Sequence, residues 1–150
     1  MMASIFDKND NNLIISRINA LTPETQPLWG KMNVGQMLSH CQAPIDVAFG
    51  DAKLRSNFVF LLLGRLFKKK ILAAPKFKKN SMTEPSFIRT GAYDFEKTKT
   101  ELIARITRFA DEGTACIKID KHPFFGKMTF EEWDNLQWKH LNHHLKQFGV

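Results

Sequence analysis

Apolar positions along this chain recur mostly at helical spacing, with proline or glycine at the breaks. Leu13, Ile14, Ile18 and Leu21 form the first stripe, and Pro23 and Pro27 close it off, which predicts a helix ending near Ala20. Asn33 and Gln36 have the spacing of a capping box, and Val34, Met37, Leu38, Cys41, Ile45 and Ala48 form a stripe behind them. Pro44 lies inside this second helix and is expected to kink it or end it early. Asn57 to Phe67 is apolar and helical in character, and a basic loop with Pro75 and Pro85 follows. Tyr93 and Asp94 open a third long helix, with Phe95, Leu102, Ile103, Ile106 and Phe109 on one side and Gly113 past its end. The β-branched stretch Ala115 to Ile119 reads as a lone strand or an extended connector. The last helix is the clearest: Thr129 and Glu132 form a capping box, and Trp133, Leu136 and His140 begin a stripe running toward Gly149. Four principal helices around one core predict an all-α four-helix bundle, with the basic segment as a long excursion between helices.

A length of 150 residues suits one domain over 1–150, and 43% hydrophobic with 25% charged residues excludes a disordered or fibrous chain. Such a core folds without a disulfide or a structural metal, so any ion must be argued from function. Cys41 and Cys116 are too few for a disulfide framework, and each sits among apolar residues where a reduced thiol acts as a small hydrophobe. The longest apolar run, Phe58 to Leu63, is far short of the ~18 to 20 residues that span a bilayer. The N-terminus lacks the basic start and apolar stretch of a signal peptide, so a cytoplasmic location is expected. A homodimer is the default quaternary expectation.

Charge changes the picture in one place. The net charge is +7, and Ala52 to Thr83 holds nine Lys and Arg with no acid. An apolar helix beside such a cluster suits peripheral contact with an anionic membrane. The same cluster can line a pocket mouth and attract an acidic substrate, or it can be a solvated excursion. Nucleic acid is not expected as a partner, because no RNA-binding signature, zinc finger or Gly-rich phosphate loop accompanies the charge.

The candidate chemistry lies in the histidines. Residues four apart share a helix face, so His140 and His144 can aim two imidazoles at one ion, while His140 and His143 do so less squarely. His40, at the edge of the second helix's stripe, is the natural third donor, since bundles build metal sites from facing helices. Three imidazoles leave one coordination position open, as a catalytic ion requires. Against this stands the ordinary reading of core histidines held by hydrogen bonds, and of cations soothed by a helix C-terminus. Position 141 is Leu, so the zincin motif with its Glu base is absent. Asp46 and Asp134 lie about six residues, or roughly 9 Å of helix axis, from any candidate ligand. His122 lies in the loop before the last helix, and Gln147 is placed to bond a neighbouring helix or a ligand histidine. Trp29, Trp133 and Trp138 read as core or rim, and Asn142 as solvated.

Trp29-Gly-Lys-Met-Asn-Val-Gly-Gln-Met-Leu-Ser-His40, taken with His140-Leu-Asn-His-His144-Leu-Lys-Gln147, resembles the DinB/YfiT-like metalloenzyme superfamily. The run from His122-Pro-Phe-Phe-Gly through Glu-Glu-Trp133 to Phe148 is similar to a branch known only as a domain of unknown function. The resemblance implies a DinB-like four-helix bundle with His40, His140 and His144 at the ligand positions. It also implies a divalent ion (zinc, nickel, iron or manganese) and makes His143, His122 and Gln147 supporting or substrate-lining candidates. The activity it implies is that of a metal-dependent transferase or isomerase using a low-molecular-weight thiol. The leading expectation is a metal-dependent transferase or hydrolase acting on a small molecule with such a thiol as cosubstrate. No catalytic acid or base is assigned. The alternative is a non-enzymatic binding bundle whose histidine cluster is structural or vestigial.

Overall fold

Helices that build the core begin where a side chain answers the free N–H groups of the first turn. In the computed structural model, which describes residues 3–54 and 58–150, Asp7 accepts from the Asn9 and Asp10 N–H groups and starts α1 (Lys8–Asn19). Asn33 and Gln36 exchange bonds in a capping box at α2 (Val34–Ala48). After α3 (Phe58–Ala73), Asp94 caps α4 (Phe95–Glu112). Thr129 and Glu132 form the second capping box, at α5 (Phe130–Gln147). Two 3-10 turns, at Pro85–Phe87 and Gly113–Cys116, complete the helical structure. The only strands among the described residues are β1 (Lys121–His122) and β2 (Gly126–Lys127), paired antiparallel with His122 opposite Gly126. The fold is all-α with this minor hairpin, and no helix among the described residues is long and apolar enough to cross a membrane.

α2 runs between α4 and α5, while α1 lies across both of the latter. Ile14 and Ile18 of α1, Leu38 and Ile45 of α2, Ile106 and Phe109 of α4, and Trp133 and Leu141 of α5 meet in one core. Several polar groups inside it are paired, as burial favours, whereas Trp133 Nε1 is buried without a partner among the described residues. Asn11 donates to the Ile5 and Ile106 carbonyls, and Gln42 to the Thr98 carbonyl. Both cysteines are buried and free, and burial raises both thiols, Cys116 to about 11.

Four expectations can be set against the fold. Pro44 does not end α2 early, although it offers no N–H to the His40 carbonyl. The helix is buried on nearly every side, and Gln137 Nε2 donates to the Pro44 carbonyl at 3.2 Å. α3 runs past Phe67 through Lys68–Lys70 to Ala73, and its expected first residue, Asn57, lies outside the described residues. Its end is held from a distance: the buried Lys139 ammonium donates to the Ile71, Leu72 and Ala74 carbonyls at 2.8, 2.8 and 2.9 Å. Lys68 pairs with Glu132 at 2.7 Å. Of the two readings of Ala115 to Ile119, the connector holds and the strand does not: Ala115 and Cys116 close the 3-10 turn, and the Lys118 N–H donates to the Ala48 carbonyl. Asn142 is only partly exposed and accepts from Arg17, whose other arm holds the Val150 carbonyl.

Candidate metal centre

α2 and α5 lie against each other, and the surface between them carries His40 from one and His140 and His144 from the other. Helical spacing sets the last two on one face of α5. The three ring centroids form a nearly equilateral triangle with sides of 4.9, 4.6 and 4.7 Å. One nitrogen from each ring lies within 4.8 Å of the others.

Hydrogen bonds decide which nitrogens face inward. A backbone carbonyl only accepts, so His40 Nδ1 donates to Phe87 O at 2.9 Å and Nε2 keeps its lone pair. Gln147 Nε2 donates to Trp29 O at 2.8 Å, which turns its Oε1 toward His144. His144 Nδ1 therefore donates to that oxygen at 2.8 Å, leaving its Nε2 bare as well. Gly30 makes the arrangement feasible: a Cβ there would stand 2.5 Å from Gln147 Nε2. His140 Nε2 is 3.0 Å from His40 Nε2. His140 Nδ1 is buried without a hydrogen-bond partner among the described residues, so the ring is oriented by packing and by its Nε2 contact with His40.

Burial lowers the pKa of all three rings. For His40 the bond to Phe87 offsets part of the effect, and for His140 and His144 the neighbouring rings add to it, taking His144 to about 3. All three are neutral at neutral pH, the state in which imidazole binds an ion. Three nitrogens around a tetrahedral ion at 2.0–2.1 Å stand roughly 3.3 Å apart. With His40 Nε2 and His140 Nε2 3.0 Å apart and all three donor nitrogens within 4.8 Å of one another, the set is close enough to close on a divalent ion.

The cluster opens on a pocket of about 620 Å³. Its walls are largely apolar, from Trp29, Met32, Ile71, Phe77, Phe87 and Phe124. Lys31, Lys78 and Arg89 bring positive charge to it, and Glu84 is its single carboxylate among the described residues. That carboxylate accepts from the Ser86 N–H and hydroxyl, while Arg89 donates to Ser39 Oγ and Ser86 O. His143 also lines the pocket, half-buried against the rings of Trp29 and Phe77 and outside the three-ring cluster. His122 is a buried part of the lining, stacked near Phe125 and Trp133. Its Nδ1 accepts the Phe124 N–H at 3.0 Å, and burial pushes its pKa down to about 4. Trp29 belongs to the rim, with Lys79 over its face, whereas Trp133 is core and Trp138 packs beside it.

Asp46 and Asp134 are engaged elsewhere, with Arg105 and with the Ile5 N–H. Sequence reasoning did not single out Phe77, Glu84, Phe87 or Arg89. Phe87 acts through a carbonyl that every residue possesses, and the others lie on the long connection between α3 and α4.

A protein-family model described as a protein of unknown function (DUF1569) matches residues 6–149. Comparisons with curated proteins and with solved structures return no match.

Proposed function

We propose that this chain, which belongs to the DUF1569 family of proteins of unknown function, is a metal-dependent enzyme acting on a small molecule, as transferase or hydrolase. The reading takes residues 1–150 as a single DinB-like four-helix bundle, with His40, His140 and His144 holding a divalent ion. One observation carries it: hydrogen bonds to Phe87 O and Gln147 Oε1 commit two of three converging imidazoles to present Nε2 lone pairs. An ion so held supplies Lewis acidity, lowering the pKa of a water or thiol near it.

The chain's own residues do the rest. Gln147, braced by Trp29 O, fixes the ring of His144, and the Phe87 carbonyl fixes that of His40. Aromatic walls keep water from the apolar part of a substrate, and Lys78 and Arg89 favour an anionic group, such as the carboxylate of a small thiol cosubstrate. Glu84 is tied to Ser86, so no free carboxylate lines the pocket among the described residues. The side-chain base that the pocket does offer is the imidazole of His143.

The test uses protein purified without a His-tag or nickel column. Expected are about one divalent ion per chain and an EDTA-sensitive reaction of an electrophile with a small thiol or water. Bound metal with no EDTA-sensitive turnover across a broad thiol and hydrolase panel points instead to a binding module.

A further inference from the structure

α3 differs from the other long helices in what it shows to solvent. Phe58, Val59, Leu62, Leu63, Leu66 and Phe67 are all exposed, Phe58 by 76% and Leu66 by 68%. At 3.6 residues per turn, Val59, Leu62 and Leu66 point one way, and Lys69 and Lys70 continue the same side at the C-terminal end. Arg65 flanks the row. The opposite side is the anchored one. Leu61, Gly64, Lys68 and Ile71 are partly buried, and a Cβ at Gly64 would stand 2.3 Å from the Phe124 carbonyl oxygen.

An apolar row this long on a helix surface marks an interaction site. Charge selects the occupant. The segment 52–83 contains no acid, so a second copy docked through its own α3 would bring no carboxylate to Arg65, Lys69 and Lys70. An anionic bilayer takes both halves of the surface: apolar side chains enter the acyl boundary, and lysines reach the headgroups. With 16 residues, or about 24 Å, α3 is too short to span and suited to lie in the interface plane.

We propose that the outer face of α3 seats this protein on an anionic lipid surface. The inference is independent of the metal reading, because none of the face's residues belongs to the histidine cluster. Ile71, on the anchored side, lines the pocket, so a seated helix sets the pocket beside the membrane.

The test is sedimentation of the full chain with vesicles of phosphatidylcholine alone and with roughly a third phosphatidylglycerol. Expected are binding to the anionic vesicles, little to the neutral ones, and steep loss with added salt. Lys69→Gln with Lys70→Gln should weaken binding roughly tenfold to thirtyfold, at about 1 kcal/mol per lysine near the surface. Leu62→Glu with Leu66→Glu should abolish it. Both pairs change exposed side chains, and unchanged circular dichroism and melting temperature show that the fold persists. Absent binding, or equal binding to neutral vesicles, overturns the proposal. So does concentration-dependent dimerisation that Leu66→Glu removes, which would assign the face to a second copy of the chain.

Discussion

α2 and α3 have nearly the same length, 15 and 16 residues, and both are rich in apolar side chains, yet the protein uses them oppositely. α2 is buried on almost every side, and the polar residues it takes inside are each matched: His40 to Phe87 O, and Gln42 to Thr98 O. α3 keeps one anchored side and leaves six large apolar residues and several lysines outside. Hydrophobic content alone therefore does not say which helix is central. What distinguishes them is the partnering of polar groups, because a buried polar atom left unpaired costs about 1–3 kcal/mol. The candidate chemistry draws on the helix whose buried polar groups are matched, and the proposed contact surface lies on the helix that leaves its apolar side to solvent.

The comparison breaks most sharply at the histidines. His140→Ala or His144→Ala leaves two donors, so metal content should fall to a small fraction of the wild-type value with circular dichroism unchanged. The metal-induced stabilisation, about 4 kcal/mol at an ion concentration a thousandfold above Kd, should disappear. A variant that retains its full metal content shows that its ring is not a ligand.

Acid offers the next largest effect, on metal-free protein. His122 stands at about 4 in the fold against about 6.5 in an unfolded chain, so its neutral form is the stabilising one. Its contribution is fully present above pH ~6.5 and is lost as pH falls toward 4, by roughly 3 kcal/mol. His144, at about 3, adds a loss of the same sign that continues as pH falls toward 3. Urea midpoints at several pH values, compared with those of His122→Asn, measure this. Parallel curves for the two proteins would dispose of the His122 term.

Smaller changes sharpen the contrast. Gln147→Leu frees the His144 ring and strands the Trp29 carbonyl, and metal affinity should drop about 10- to 100-fold. Gly64→Ala should loosen α3 from Phe124 at a cost of about 1–2 kcal/mol, with metal content unaffected. If amide exchange in α3 is unchanged, the close approach at Phe124 does not hold the helix. His143→Ala should move metal content least, since its ring packs on Trp29 and Phe77 outside the cluster.

What the sequence revealed was mainly local. Asp94, the Asn33–Gln36 box and the Thr129–Glu132 box are helix starts written within four residues. The face shared by His140 and His144 follows from spacing, and so does the reach from His144 to Gln147 one turn on. What escaped was long-range. α3 continues through its lysines because Lys139 and Glu132, more than sixty residues away, hold them. Ala115 to Ile119 has the composition of a strand but, among the described residues, no strand beside it. The pocket's charges, Glu84 and Arg89, arrive on an irregular connection whose path no periodicity describes.

Lys139 carries a consequence for how the chain meets a protease. Its ammonium is buried, makes no ion pair among the described residues, and is balanced by three carbonyls at the end of α3. Unwinding the last turn would withdraw those oxygens together and leave a cation in an apolar setting. Trypsin needs an extended chain, and the sequence around Lys68, Lys69 and Lys70 invites it. In the fold, that cut waits until the ammonium is released. Lys139→Met keeps the side chain's bulk and drops the charge, so it should turn the most basic stretch of the protein into its first site of cleavage.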